Sequence, residues 1–235
     1  MSTQILQAAK ITQTIERLAS RINDRFPDAS LHKVCQQLQS ISEQAEDRSI
    51  WIGRKIGWIR LLSLLLIVLT IVLIVVGIMS LDLETESMTA GRVIELADSA
   101  SSELLLIGAV FLFLFTMERR MKRSRVLKAI HELRSIAHII DMHQLTKDPE
   151  RVISKLYVPT EQSPRPALDK FQLRRYLEYC SEMLSLTSKV ASVHVQHFDD
   201  ASSLSAVNEI EQLTTGLSRK IWQKIMILHS FDEQK

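Results

Sequence analysis

The feature that most constrains the fold is a run of 21 residues without a charge, LLSLLLIVLTIVLIVVGIMSL at positions 61–81. As an α-helix the run is about 31 Å long, which matches the ~30 Å hydrocarbon core of a bilayer. A chain of 235 residues has too little other material to bury such a helix on every side. The run follows about sixty mostly polar residues and precedes no small-residue cleavage pattern, so it is not a cleaved signal peptide. We therefore expect a membrane-spanning helix over about residues 58–81.

A second apolar stretch, residues 104–117, has only fourteen residues. Its helical length of about 21 Å is too short to span a bilayer by itself. It reaches the required length if the helix begins near residue 97, because the alanines and serines at 97–102 are tolerated in membrane helices. A second span over about residues 97–117 leaves residues 82–96 as a short outer loop.

The charges that flank the two stretches indicate that both membrane ends lie on one side. Bases precede the first stretch and acids follow it: Arg48, Arg54, Lys55 and Arg60, then Asp82, Glu84 and Glu86. The order reverses around the second stretch, with Glu95, Asp98 and Glu103 before it and Arg119, Arg120, Lys122, Arg123, Arg125 and Lys128 after it. Because Lys and Arg stay in the cytoplasm, the chain must cross an even number of times. The sequence predicts a two-helix transmembrane hairpin with both termini cytoplasmic, in a plasma membrane or bacterial inner membrane.

Aromatic and basic residues mark the predicted cytoplasmic interface. Trp51 and Trp58 lie seven residues apart, on one helix face, and amphipathic indole rings favour the interface. The basic run after the second span indicates attraction to anionic lipid headgroups rather than to nucleic acid. The predicted interface residues are Trp51, Trp58, Arg54, Lys55, Arg60, Arg119, Arg120, Lys122, Arg123 and Arg125.

Two smaller groups inside the predicted spans carry further expectations. Ser63, Thr70 and Gly77 recur every seven residues, which is typical of a face that packs against another helix. The outer half of the second span contains a candidate polar site of Ser99, Ser102 and Glu103. Glu103 is interpreted as the outer boundary of the span, with the lining of a pore as the alternative.

The remaining segments have the spacing of amphipathic helices, and no strand pattern persists. We expect an all-α membrane protein whose cytoplasmic helical bundle is formed by the N- and C-terminal segments. Its parts are a helical hairpin at 1–50, the transmembrane hairpin at 51–120, a juxtamembrane helix at 121–158, a Pro-rich linker at 159–170 and a helical pair at 171–235.

No motif in the sequence indicates catalysis or a cofactor. The six glycines do not cluster, which excludes the usual phosphate-binding loops. HELRS, beginning at His131, has Ser135 where a zinc protease needs its second histidine. A weak metal-binding pattern remains on two predicted helices, but solvated or seam positions are the preferred interpretation for its members: His138, Asp141, His194, His197 and Asp200.

Two functions fit this pattern. The first is an integral membrane scaffold without enzymatic activity, whose cytoplasmic bundle associates with itself, as a homo-oligomer, or with a soluble protein. The second is a small oligomeric ion channel lined by the polar outer half of the second span.

Overall fold

The computed structural model describes residues 6–80, 90–153, 158, 160–162 and 168–230, and over these residues the chain forms α-helices and no strand. The sequence-based prediction of an all-α fold is therefore confirmed for the described part of the chain. The helices are α1 (Ala8–Arg25), α2 (Ser30–Gly53), α3 (Gly57–Ser80), α4 (Ala90–Leu145), α5 (Glu150–Ile153), α6 (Lys170–His194) and α7 (Ala201–Ser230).

The chain divides into two compact units. One unit, which we call the bundle, combines the segment that ends at Gly53 with the segment that begins at Arg123. The other, the apolar unit, is Arg54–Lys122. Helix α4 contributes residues to both units, since the division falls between Lys122 and Arg123.

The bundle has a core to which both ends of the chain contribute. Side chains with almost no exposure come from α1, α2, α4, α6 and α7, and they include Ile15, Leu38, Leu133, Leu177 and Ile210. Burying each of these side chains contributes roughly 1.5–3 kcal/mol of transfer free energy. Neither end of the chain supplies this core without the other.

Two cysteines lie within this core and remain thiols. Cys35 and Cys180 are free and fully buried. Burial raises the pKa of each thiol to about 12. Because the thiolate is the reactive form, both behave as small apolar side chains.

Local sequence signals explain where two of the bundle helices begin. Asp169 caps α6, since its carboxylate accepts the Gln172 backbone N–H at 2.7 Å and the Gln172 side chain accepts the Asp169 N–H at 3.1 Å. Asp200 caps α7, since its carboxylate accepts the Ser203 backbone N–H at 3.1 Å. A side-chain cap of this kind contributes about 1 kcal/mol to helix stability.

The apolar unit has the opposite burial pattern. Its helix α3 leaves large apolar side chains exposed around its circumference, with Leu61 67%, Ile71 54% and Leu73 63% exposed. Among the described residues, one helix, which takes in α3, is long and apolar enough to cross a membrane. Apolar surface of this extent is unfavourable in water, so α3 requires another apolar environment.

Candidate functional site at the turn between helices 6 and 7

Asp200 organises the end of the bundle where the chain turns from α6 into α7. Its carboxylate accepts the Arg123 guanidinium at three close N···O distances, 3.0 and 3.2 Å from Nε and 2.7 Å from Nη2. The Asp200 side chain is only 8% exposed, and the Ser203 hydroxyl also donates to it at 3.0 Å. The hydrogen bond from Arg123 lowers the pKa of Asp200, and the same bond raises the pKa of Arg123. A helix cap and an α4–α7 tether thus share one side chain.

The end of α2 packs against the same turn, where it contacts His197. The Ser49 hydroxyl and His197 Nδ1 are 3.1 Å apart. Gly53 lies so close to the turn that a Cβ there would stand 2.9 Å from His197 Cβ and 3.0 Å from its carbonyl oxygen. This is closer than a Cβ normally approaches a backbone oxygen, so the contact requires glycine.

An aromatic contact completes the join between α2 and α4. The Arg125 guanidinium lies 3.7 Å from the centroid of the Trp51 ring, in cation–π geometry, while Trp51 remains 51% exposed. The end of α2, the start of the bundle part of α4 and residues 195–200 therefore meet at one place, which we call the corner. The corner contains both points at which the chain passes between the two units, Gly53 and Arg123.

A buried histidine lies on α6, just before the turn that forms the corner. His194 is fully buried, and its Nδ1 is 2.9 Å from the Val190 carbonyl oxygen. Its Nε2 has no hydrogen-bond partner among the described residues. Burial lowers the pKa of His194 and outweighs the hydrogen bond to the Val190 carbonyl oxygen, which raises it. The imidazole is therefore neutral at pH 7.

Helix α4 ends at a second group of polar side chains, which are buried or half-buried. Lys224 of α7 donates from Nζ to the Gln144 and Lys147 carbonyl oxygens, at 2.7 and 3.1 Å. The Tyr176 hydroxyl is 3.4 Å from His143 Nδ1. Burial lowers the pKa of both Lys224 and His143. The lysine satisfies helix-terminal carbonyls, which makes this group a C-terminal cap of α4.

The metal-binding pattern of the sequence does not assemble in the described residues. Among them, no group of three or more His, Cys, Asp or Glu side chains is arranged to hold a metal ion. His194, His197 and Asp200 instead contact Val190, Ser49 and Arg123. Asp141 accepts a hydrogen bond from Gln144 at 2.6 Å, and His138 is exposed.

The predicted interface residues fall into two groups. Trp51, Trp58, Arg54, Lys55, Arg119 and Arg120 are exposed. Three further bases are less exposed, and the sequence does not reveal their partners. Lys122 is buried and lies 2.9 Å from Glu118, Arg123 binds Asp200, and Arg125 stacks on Trp51. The Arg60 side chain lies outside the described residues.

The residues predicted to pack inside the membrane are described in part. Ser63 and Thr70 are half-buried, and their hydroxyls donate to the Ile59 and Leu66 carbonyl oxygens of the preceding turn, each at 2.8 Å. These bonds satisfy both hydroxyls within α3. The surroundings of Gly77 and the side chains of Ser99, Ser102 and Glu103 lie outside the described residues.

Comparison of the chain with protein-family models, with curated proteins and with solved structures finds no match. Functional inference therefore depends on the geometry of the chain itself. The corner is the arrangement that sequence reasoning misses, although an aspartate directly before the amphipathic spacing of α7 is a recognisable N-cap signal.

Proposed function

We propose that the protein is an integral membrane scaffold: a two-helix hairpin anchors the bundle at the cytoplasmic face, and the bundle serves self-association or partner binding. The observation that carries this proposal is that residues on both sides of the apolar unit share one core. If α3 crosses a bilayer, a chain whose two ends pack together has to return to the side from which it left. This requires an even number of crossings. The distribution of Lys and Arg favours the same topology independently.

Contacts inside the apolar unit support a return through α4. The Ile56 backbone N–H donates to Glu118 Oε1 over a long 3.4 Å contact, and Lys122 lies 2.9 Å from the same carboxylate. Ile59, three residues after Ile56, and Leu114, four residues before Glu118, are buried, although most apolar side chains of this unit are exposed. The residues around the start of α3 thus contact α4 near residue 118, as the base of a helical hairpin would.

The scaffold function is favoured over enzymatic chemistry by the use that the bundle makes of its polar residues. Asp200, Arg123, Ser49, His197 and Lys224 bond to one another or to helix ends, and these contacts hold the helices together. The alternative of a channel depends on Ser99, Ser102 and Glu103 and stays a prediction from the sequence.

Topology can be tested with single reporter cysteines in the full-length protein, because Cys35 and Cys180 are buried and give little background. A cysteine at Thr89 should react with an impermeant maleimide on intact cells. Cysteines at Ser2 and Gln234 should react only after permeabilisation. Labelling of position 2 and position 234 from opposite sides would contradict the hairpin, and release of the protein by alkaline carbonate would contradict the anchor.

A further inference from the structure

Helix α7 has a second regular stripe beside its buried face, on the flank where Glu211 accepts the Ser192 hydroxyl of α6 at 3.2 Å. The buried residues of α7 recur mostly every three or four residues and hold the helix in the bundle. The second stripe is exposed throughout, with spacings of 4, 3, 4, 4, 3 and 4 residues. We call it the outer stripe; it consists of Leu204, Asn208, Glu211, Thr215, Arg219, Trp222 and Met226.

The outer stripe is arranged symmetrically about Thr215. Glu211 lies four residues before Thr215 and Arg219 lies four residues after it, so the two charges are opposite and equidistant from the centre. Two copies of this helix in antiparallel contact therefore place each Glu211 opposite the Arg219 of the other copy. A parallel contact in register instead places Glu211 against Glu211 and Arg219 against Arg219. Charge complementarity therefore selects the antiparallel arrangement.

The outer residues of the stripe are also placed symmetrically about Thr215. Leu204 and Met226 lie eleven residues before and after Thr215, and each is exposed, by 43% and 58%. Asn208 and Trp222 lie seven residues on either side, and the Trp222 ring is 57% exposed. In an antiparallel pair, Leu204 meets Met226 at both ends, and each indole covers part of the facing helix. Exposed aromatic and Met side chains are enriched at protein interfaces.

A shallow depression lies at the centre of the stripe, where Gly216 follows Thr215. It has a volume of about 420 Å³ and is lined by residues that include Thr215, Gly216 and Arg219. A Cβ built on Gly216 meets no atom within 4 Å, so packing inside this chain does not require the glycine. Glycine disfavours the interior of a helix, and its usual benefit there is close approach of another backbone. A second helix that crosses at Thr215 gains that approach.

The direction of α7 within the bundle decides where the corners of two paired copies lie. Arg123 pairs with Asp200, Arg134 with Glu209, and Lys224 with the Gln144 carbonyl oxygen, so α4 and α7 run in the same direction. Asp200 at the corner lies fifteen residues from Thr215, about 22 Å along the helix axis. An antiparallel pair therefore places its two corners at opposite ends, roughly 45 Å apart.

We propose that the outer stripe binds the outer stripe of a second copy, antiparallel and with a two-fold axis at Thr215. This inference rests on the self-association proposed above and names the partner and surface that the scaffold uses.

Disulfide cross-linking of the full-length protein in detergent tests the pairing. Thr215→Cys should form a disulfide dimer under mild oxidation, and Lys220→Cys, exposed on another face of α7, should not. A mixture of differently tagged Leu204→Cys and Met226→Cys chains should give the mixed dimer, with little dimer from either variant alone. Equal cross-linking at positions 215 and 220, or dimers of Leu204→Cys alone in place of the mixed dimer, would overturn the antiparallel pair.

Charge reversal tests the contact between Glu211 of one copy and Arg219 of the other. In detergent, the parent protein should sediment as a dimer, while Glu211→Arg alone or Arg219→Glu alone should sediment as a monomer. Mixing these two variants should restore the dimer, because each variant then faces opposite charges on the other; the double variant Glu211→Arg, Arg219→Glu should also dimerise. Single variants that dimerise as well as the parent would overturn the pairing. Circular dichroism of each variant verifies that the fold is intact.

The two proposals fail in different measurements. Protein that floats with vesicles but does not dimerise through α7 would overturn the stripe pairing and leave the anchored scaffold intact. Protein that does not float with vesicles would overturn the anchor, and cross-linking in detergent would still decide the pairing of α7.

Discussion

The guanidinium of Arg123 donates from Nε and Nη2 to the carboxylate of Asp200, and that carboxylate also accepts the backbone N–H of Ser203 in the first turn of α7. One side chain thereby fixes the start of one helix and attaches it to another. Arg123 is the first residue of the bundle part of α4, so the pair also fixes a point at which the chain passes between the two units.

Asp200→Ala should lower the free energy of unfolding by about 1 kcal/mol through loss of the cap alone. Asp199→Ala, a neighbouring exposed carboxylate, is the matched control and should have little effect. Denaturant titration of the purified protein measures both. Equal losses in the two variants would show that the cap and tether are not the cause.

The same pair makes a prediction about pH. Arg123 lowers the pKa of Asp200, so the folded protein binds this proton less readily than the unfolded chain does. The stabilisation is therefore present at neutral pH and is lost as the pH falls through the pKa of folded Asp200. The stability difference between the parent and Asp200→Asn should shrink in acid. A difference that stays constant from pH 7 to pH 3 would contradict this assignment.

Gly53→Ala should destabilise the bundle, because the new Cβ would stand 2.9 Å from His197 Cβ and 3.0 Å from its carbonyl oxygen. Overpacking of this kind costs about 1–3 kcal/mol, more than the ~1 kcal/mol that alanine gains over glycine in a helix. Gly57→Ala is the control, since a Cβ at Gly57 meets nothing within 4 Å. Thermal melts should show a lower Tm for the first variant only. A Tm for Gly53→Ala at or above that of the parent would mean that the turn at His197 accommodates the new Cβ without loss of stability.

Burial of His194 predicts that the bundle loses stability in mild acid. The pKa of His194 is lowered in the folded state, so the unfolded chain takes up the proton first and stability falls as the pH drops below about 6.5. The loss is at most about 1.4 kcal/mol per pH unit for one proton. His194→Gln should reduce this slope, and the exposed control His138→Gln should keep it. An unchanged slope in His194→Gln would assign the effect to another group, such as His143.

Glu103 distinguishes the scaffold from the channel. If it marks the outer boundary of a span, Glu103→Gln should leave ion flux across planar bilayers unchanged within error. If it lines a pore, the same substitution should change conductance or cation preference, because a ring of negative charge disappears. We expect the first result. A clear change in selectivity would replace the scaffold with the channel.

Helix positions are well predicted from spacing, while partners between helices are not. The 4-3-4 spacing of Ile11, Ile15, Leu18 and Ile22 predicts the buried face of α1, and all four side chains are buried. This follows because one face of an amphipathic helix must leave water whichever helix covers it. Proline favours the first turn of a helix, so the sequence predicts Pro27 at the start of the second helix. This prediction is wrong, because α2 begins at Ser30 and Pro27 lies in the preceding turn.

The corner shows what periodicity leaves undetermined. Arg123 and Asp200 are 77 residues apart, and Ser49 and His197 are 148 residues apart. Each residue also has an ordinary local interpretation, Arg123 as part of a basic run near a membrane and Asp200 as a helix cap. Pairing them requires the order in which the helices surround the core. That order is set by how five amphipathic faces pack together, which no single face specifies.

The shared core also has a consequence for the order of synthesis. Helices α1 and α2 leave the ribosome before α6, which packs against both of them and is made after the apolar unit. At about 5–20 residues per second, the interval from Gly53 to the end of α6 lasts roughly 7–28 s. Throughout that interval the first hairpin keeps an uncovered apolar face, and a chain that stops before α6 never covers it. Complete translation is therefore a condition for the stability of the earliest segment, which makes α1 and α2 the part of the protein most dependent on protection while it is being made.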